Sequence, residues 1–487
     1  MNAPDVVVVG SGPNGLAAAV TMARAGLAVL VLERADSIGG GARTQELTLP
    51  GFLHDVCSAV HPMALASEFF QRFGLERRID MATPEISYGH PLPGGGAGIA
   101  YRSLELTIDG LGTDGPAWRR LFEPLVEHSR GLADFTSNQL LRIPRAPITA
   151  ARFGMRALEQ GSAAWDFRFA HEAAPAMLTG VFAHTIRRMP SLSTAGAGLV
   201  LATYAHSVGW PIPIGGSATI VRALADDVLA HGGEIRTGVD VADLAELPQS
   251  RVVLLDVTPR ALLRLAGDRL PSRYAAQLRR FRYGNAVAKV DFALSDPVPW
   301  RHRELRSAVT LHVGGTRAQL ARAENTVSRG KHAEHPYVLV SQPTVLDPGR
   351  APAGRHVLWA YTHVPHGSNV DQAETVIRQI ERYAPGFRDI ILAVSSRTAL
   401  QVEDENPNYV GGDIAAGSVS MRQLLARPVL SSDPWRTPLR GVYLCSASTP
   451  PGPGVHGLCG WRAALSALRN EYGIMQTPDL GQGSLGK

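Results

Sequence analysis

The chain opens on an apolar run, Val6 to Val9, which breaks at Gly10 and gives way to an alanine- and leucine-rich stretch, Leu16 to Ala25, closed by Gly26. Successive β-branched residues fit a strand buried on both faces, and the small apolar residues after the glycines fit a helix lying close upon it. Ala28 to Leu32 repeats the strand pattern, so the N-terminal segment reads as a βαβ unit. Gly115 to Leu141 then sets Trp118, Leu121, Phe122, Leu125, Val126, Leu132 and Phe135 at helical spacing, with Pro116 suited to a first turn and Pro144 and Pro147 ending the region. A further helix, Ser217 to Ala230, stops at Gly232-Gly233, and strands are expected at Glu234 to Val241 and Arg251 to Asp256. From Ala286 to Val402, alternating strands at Val287 to Phe292, Ala308 to Val313 and Tyr337 to Ser341, with a helix around Ala373 to Tyr383, suit an antiparallel sheet. Val442 to Cys445 is a last apolar strand, followed by a helix that holds Ala463, Ala464 and Leu468.

The punctuation of the first unit carries chemistry. Gly10 permits a tight turn, Gly12 leaves room for a diphosphate and Gly15 lets helix and strand approach, so Gly10-Ser11-Gly12-Pro13-Asn14-Gly15 places backbone N–H groups and a helix N-terminus toward an anion. Glu33 ends the second strand at the spacing that a ribose-binding carboxylate requires. Strand, helix and acid together make this a dinucleotide site. The choice of FAD over NAD rests on the segment Arg34 to Thr44, where Gly40, Gly41 and Ala42 bring backbone close to the same cofactor and Arg43 can neutralise diphosphate charge. Gly452, Gly454 and Gly457 repeat the spacing near the other end, but the strand does not lead straight into them and Pro453 lacks an N–H, so no second nucleotide site is expected there.

Composition narrows the class. With 487 residues, 45% of them hydrophobic and 19% charged, the chain can bury a large core. Its net charge is only +5, and the arginine pairs at Arg77, Arg119, Arg187 and Arg279 are dispersed, which argues against nucleic acid and permits at most peripheral contact with an anionic membrane. Cys57, Cys445 and Cys459 form neither a redox pair nor a metal-ligand pattern, so no metal is expected. The absence of a basic leader or a long apolar span predicts a cytoplasmic protein, with membrane association left open.

The blocks VVVVGSGPNGLAAAVTMARAGLAVLVLER, GGGARTQELTLPGFLHDVCSAVHP and GVYLCSASTPPGPGVHGLCGWRAALSAL resemble the phytoene desaturase-like branch of the glutathione reductase-type flavoproteins, and particularly its pyridine nucleotide-disulphide oxidoreductase domain-containing protein 2-like members. The segment PIPIGGSATIVRALADDVLAHGGEIRTGVDV extends the likeness over almost the whole chain. The resemblance implies an α/β fold in which a Rossmann-like FAD-binding domain (residues 1–75, 212–285 and 405–472) is interleaved with an α+β substrate domain with an antiparallel sheet and helical cap (76–211 and 286–404), followed by a C-terminal tail (473–487). It also implies that the backbone at Val239 lies against adenine, and that Ser446, where the family block has glycine, stands with Gly454, Val455, His456 and Gly457 near the flavin ring. Amides from Val455 to Leu458 at a helix start would stabilise charge on reduced flavin.

The chemistry implied is hydride transfer between a substrate C–H bond and flavin N5, desaturating, saturating or isomerising an apolar, polyene or lipid-like small molecule. His61, His456 and His206 are the catalytic candidates, each equally suited to a structural role, and Asp55, Arg34 and His54 are polar residues near the cofactor motifs. A dedicated base is not required. Two other readings stay open: an amine oxidase-like enzyme attacking a C–N bond with oxygen as acceptor, and a flavin-binding protein without turnover. Oligomeric state is not legible.

Overall fold

Val6–Val9 is buried and sits at the centre of a five-stranded sheet, in the order Val442–Leu444, Val252–Leu255, Val6–Val9, Val29–Leu32, Glu234–Arg236, with every pair parallel. The structure, a computed structural model, describes residues 3–481. Alternation along the strands feeds two cores. Val6, Val8, Val29 and Val31 face the helices Pro13–Arg24, Ala218–Ala230 and Leu458–Ala467, whereas Val7, Val9, Leu30 and Leu32 face Pro259–Ala266 and Ser272–Arg279. Both faces are therefore covered, as a parallel sheet requires.

Helices Pro13–Arg24 and Leu458–Ala467 meet backbone to backbone at Gly460, where an added Cβ would stand 1.7 Å from the Asn14 carbonyl oxygen. Neither helix can retreat, because each is buried along its length. Gly460→Ala is expected to destabilise the fold by at least about 3 kcal/mol, the upper range for overpacking. Urea denaturation checks this, and a midpoint equal to that of the parent chain would show that the helices are not tightly joined.

A second sheet of seven strands runs in the order Ile391–Arg397, Ala286–Leu294, His356–Val364, Val338–Ser341, Thr310–Val313, Ile86–Pro91, Ala97–Tyr101. One face, carrying Val290, Phe292, Val338, Val340, Leu358 and Ala360, packs on the helix Ala373–Glu381. The opposite face, carrying Val287, Leu339, Trp359 and Tyr361, shares a core with helices Gly115–Val126, Ser129–Thr136, Pro147–Gln160, Ala173–Phe182 and Leu192–Ser207.

Several expectations need correction. The strands between Ala286 and Val402 pair antiparallel as expected, and the sheet is extended by Ile86–Pro91, which the sequence did not show and which pairs in parallel at Leu311 and Gly89. Pro147 begins a helix instead of ending the cap, since proline has no N–H to lose at a first-turn position. The stripe from Gly115 divides into separate helices at Glu127–His128. The strand at Glu234 stops at Arg236, and Gly238 follows with φ +70. Among the described residues, no helix is long and apolar enough to cross a membrane.

Candidate active site

The first glycine turn is held open by its neighbours. Gly10 has φ +99, a conformation that side chains resist, and the helix that follows, Pro13–Arg24, has Gly12 as its N-cap, which offers no side chain of its own to the first amides. Glu33 is fixed beneath the turn, accepting from Ser11 N at 2.8 Å, Ser11 Oγ at 2.6 Å and Ala35 N at 2.9 Å. The carboxylate thus faces the turn. Gly40 passes so near that a Cβ there would lie 3.3 Å from the Gly12 Cα, and one at Gly41 would collide with the Tyr409 hydroxyl. Arg43 Nε donates to the Gly40 carbonyl at 2.9 Å, which holds the guanidinium at the same wall.

Asp256, which ends the Val252–Leu255 strand, completes this arrangement. Its Oδ2 accepts from Gly15 N at 3.0 Å, and its amide donates to the Val9 carbonyl. Burial raises its carboxyl to about 7 against the pull of the Gly15 hydrogen bond, and nearby Glu33 adds to the rise. The sequence reading recorded the strand and missed the acid's role. An acid at the carboxyl end of a parallel strand, beside the glycine turn, was the available sign.

One cavity of about 750 Å³ runs from this cradle toward the second sheet. Of the residues singled out from sequence, Gly10, Gly12, Pro13, Asn14, Glu33, Arg34, Gly40, Gly41, Ala42, Arg43, His61, Val239, Ser446, Gly454 and Val455 line it. Motifs from opposite ends of the chain are thereby brought to one wall. Beyond them the cavity becomes a chamber walled by Phe153, Ala157, Val200, Leu201, Tyr204, Trp210, Leu339, Trp359 and Tyr361.

Gly15, Gly457, His206 and His456 do not line it. Gly15 packs against Gly10 and Asp256, and Gly457 begins the helix Leu458–Ala467 in a left-handed conformation. His206 Nδ1 bonds the Tyr101 carbonyl at 2.8 Å and its Nε2 accepts from Trp118 Nε1 at 3.2 Å. His456 Nδ1 accepts from Leu458 N at 3.0 Å and Nε2 donates to the Gly452 carbonyl at 3.1 Å. Both rings are buried with both nitrogens engaged in the scaffold, and desolvation lowers each to about 4. Ser446 clamps its loop, donating to the Val257 carbonyl at 2.7 Å. Asp55 binds Thr44, Ser217 and Arg350, and His54 bonds Thr48. Cys445 and Cys459 are buried, and desolvation raises both thiols, which keeps them protonated.

His61 stands apart from the other histidine candidates. The Ser217 hydroxyl donates to the Ser58 carbonyl, so it accepts from His61 Nε2–H at 2.8 Å. That assigns the tautomer and leaves Nδ1 as an acceptor with no protein partner. Burial lowers the ring to about 4, opposed by Asp55, so it is neutral at pH 7.

The family model described as flavin containing amine oxidoreductase matches residues 14–464, from the end of the first glycine turn through the chamber residues and the second glycine-rich segment. The chain belongs to the flavin-containing amine oxidoreductase family. Pyridine nucleotide-disulfide oxidoreductase domain-containing protein 2 of Rattus norvegicus is 26% identical, with 96% of this chain and 93% of that protein covered. Phytoene dehydrogenase of Streptomyces griseus is 26% identical over 80% of this chain and 78% of its own length. The fold is shared with cyclohexylamine oxidase from Brevibacterium oxydans, at 15% identity and a TM-score of 0.58 over 96% of this chain and 99% of that one. This flavin-containing oxidoreductase is FAD-dependent, and its α/β architecture is that of its family. The cradle fits a dinucleotide: the glycines leave backbone bare, the N-cap position is Gly12 and carries no side chain, and the buried Asn14 Oδ1 has no hydrogen-bond partner among the described residues.

Proposed function

We propose that this flavin-containing oxidoreductase desaturates a largely apolar small molecule held in the chamber between the glycine cradle and the second sheet. FAD, when bound, supplies an acceptor for a hydride taken from substrate carbon, and the neighbouring carbon gives up a proton as the double bond forms. Gly10, Gly12, Pro13 and Asn14 border the diphosphate in this reading, Glu33 the ribose and Val239 the adenine. Gly40 to Arg43, with Ser446, Gly454 and Val455, stand on the side of the ring. The observation that carries the reading is the chamber wall: Phe153, Ala157, Val200, Leu201, Trp210 and Leu339 are apolar, whereas the carboxylates lining the cavity are Glu33, Asp240 and Asp256 beside the cofactor motifs and Glu405, which is ion-paired with Arg397.

His61 accepts the departing proton at Nδ1, positioned by Ser217 through the opposite nitrogen. Because its pKa lies near 4, the ring stays deprotonated through neutrality. Over the pH range in which circular dichroism shows the chain folded, the limiting rate is therefore expected to show no acid break near 6.5, where an exposed histidine would place one. His61→Gln should lower kcat about a hundredfold, the low end for loss of a positioned base, while flavin content is unchanged. A pH profile breaking near 6.5 would remove His61 from this role.

Anaerobic mixing of the FAD-loaded protein with isoprenoid hydrocarbons, their oxygenated derivatives and aliphatic amines tests the function itself. Bleaching of the visible flavin band by the carbon substrates supports desaturation. Bleaching by amines alone supports C–N oxidation, and a band unchanged throughout supports a flavoprotein without turnover.

A further inference from the structure

The second sheet turns an unusually polar face toward the chamber. Thr310 pairs with Ser341 across one strand boundary, Ser341 with Trp359 across the next, and Trp359 with Asp291 across the third, so these side chains form one row on one side of the sheet. Thr310, Ser341 and Trp359 all line the cavity. Each is more than nine-tenths buried, at 2%, 1% and 4% exposure, and Thr310 Oγ1, Ser341 Oγ and Trp359 Nε1 have no hydrogen-bond partner among the described residues. Three adjacent unpartnered groups are a costly arrangement unless something else satisfies them.

The charge balance on this face narrows what that is. Lys289 Nζ is paired with Asp291 Oδ1 and lies 4.9 Å from the centre of the Trp359 ring. Deeper in, Glu324 is paired with His363 Nδ1 at 2.7 Å. Asp291 is thus flanked by Lys289 and by Arg397, whose Nη1 lies 3.6 Å from its Oδ2, and Glu324 by His363, so each acid behind the face already has a basic neighbour. The row itself offers two hydroxyls, which donate or accept, and an indole N–H, which only donates. Neither an ammonium nor a carboxylate finds a counter-charge there. An uncharged oxygen with lone pairs does, and the apolar wall from Phe153 to Leu201 accommodates the hydrocarbon attached to it.

We infer that the substrate of the chamber is an apolar molecule bearing an uncharged hydroxyl or carbonyl group, and that Thr310, Ser341 and Trp359 bind this oxygen. The inference rests on the proposed use of the chamber as the substrate site, and it excludes a pure hydrocarbon and a charged amine as the preferred ligand. The row thereby fixes which end of the molecule lies against the sheet.

The test uses the FAD-loaded full chain and four probes on one carbon skeleton: acetophenone, 1-phenylethanol, ethylbenzene and 1-phenylethylamine. Dissociation constants are read from the flavin spectrum and, independently, from tryptophan fluorescence. The ketone and alcohol are expected to bind about tenfold tighter than ethylbenzene and the amine, since each hydrogen bond gained there replaces an unmet one. In Thr310→Val with Ser341→Ala the preference should shrink to about twofold or less, with ethylbenzene binding and flavin content unchanged. Trp359→Phe should lower it independently, mainly for the ketone, which can only accept. Equal binding of all probes, tightest binding of the amine, no binding of any probe, or a preference that survives all these substitutions overturns the inference. Flavin uptake without probe selectivity overturns the polar row alone, whereas selectivity by fluorescence without flavin uptake keeps the row and overturns the flavin reading.

Discussion

Replacement of Gly12 by aspartate will leave the protein colourless after purification. Gly12 has φ −64 and ψ 171, an ordinary extended conformation, so the backbone itself tolerates a side chain. The obstacle is what the side chain meets. A Cβ at Gly12 would lie 2.7 Å from Asp256 Oδ2. That carboxyl is already held near 7 by burial and by Glu33, so a second acid beside it concentrates negative charge at the wall where a diphosphate is proposed to bind. An unpaired charge confined there weakens FAD binding by about 3 kcal/mol or more, a hundredfold at least in affinity. The ratio of visible flavin to protein absorbance after dialysis reads the effect, and circular dichroism reports whether the chain has folded. Gly12→Ala separates crowding from charge, because its methyl group touches the same oxygen without adding an ion. It should retain part of the flavin. Full flavin content in the aspartate variant would mean that the diphosphate lies elsewhere.

Stability will collapse between about pH 6.5 and pH 5, above the range in which ordinary carboxylates titrate. His54, His61, His90, His184, His206, His312 and His456 are all buried, and desolvation places them well below their ordinary value of 6.5, His54 and His184 near 3 and His61, His90, His206 and His456 near 4. Between pH 6.5 and about 4 the unfolded chain binds protons at these positions and the native chain does not, so the stability present above 6.5 is lost as pH falls. Each histidine contributes a slope approaching about 1.4 kcal/mol per pH unit once its unfolded form is charged. Asp256, Asp291 and Asp413 act in the opposite sense, because burial raises them and their native forms hold protons more tightly than the unfolded chain. The histidines outnumber them. Urea midpoints across this range, with calorimetry in buffers of different ionisation enthalpy to count protons, provide the measurement. Equal stability at pH 7 and pH 5, with no net proton uptake on unfolding, would show that the aspartates offset the histidines or that the rings are charged in the native state, and would overturn the prediction.

The sequence revealed those parts of the fold whose physics is local. Val6 to Val9 has no polar residue, and Gly10 to Gly15 has few alternatives to a tight turn, so the first βαβ unit could be read directly. The helix at Ala218–Ala230 was equally plain, because its apolar stripe ends at a glycine pair. What remained hidden depended on pairing between distant segments. Asp256 becomes important only when the Val252–Leu255 strand lies beside Val6–Val9, a relation no local pattern contains. His206 and His456 looked like candidates from their position beside motifs, whereas the roles of both rings are set by Tyr101, Trp118, Gly452 and Leu458. The row of Thr310, Ser341 and Trp359 left a trace in the alternation of Trp359, Tyr361 and His363 with Leu358, Ala360 and Thr362. Only the register of three strands turns that alternation into a surface.

The order of strands in the parallel sheet also constrains how the protein comes into being on the ribosome. The outermost strand on one side, Val442–Leu444, and the helix Leu458–Ala467 that buries the first helix are synthesised more than four hundred residues after the Val6–Val9 strand they close upon. An emerging chain has made Gly10 to Gly15 long before it can cover them, and their closing contacts span most of its length. The parallel-sheet half therefore matures only once residues 442–467 have been made, with its apolar strands and glycine turn exposed to chaperones or aggregation in the meantime.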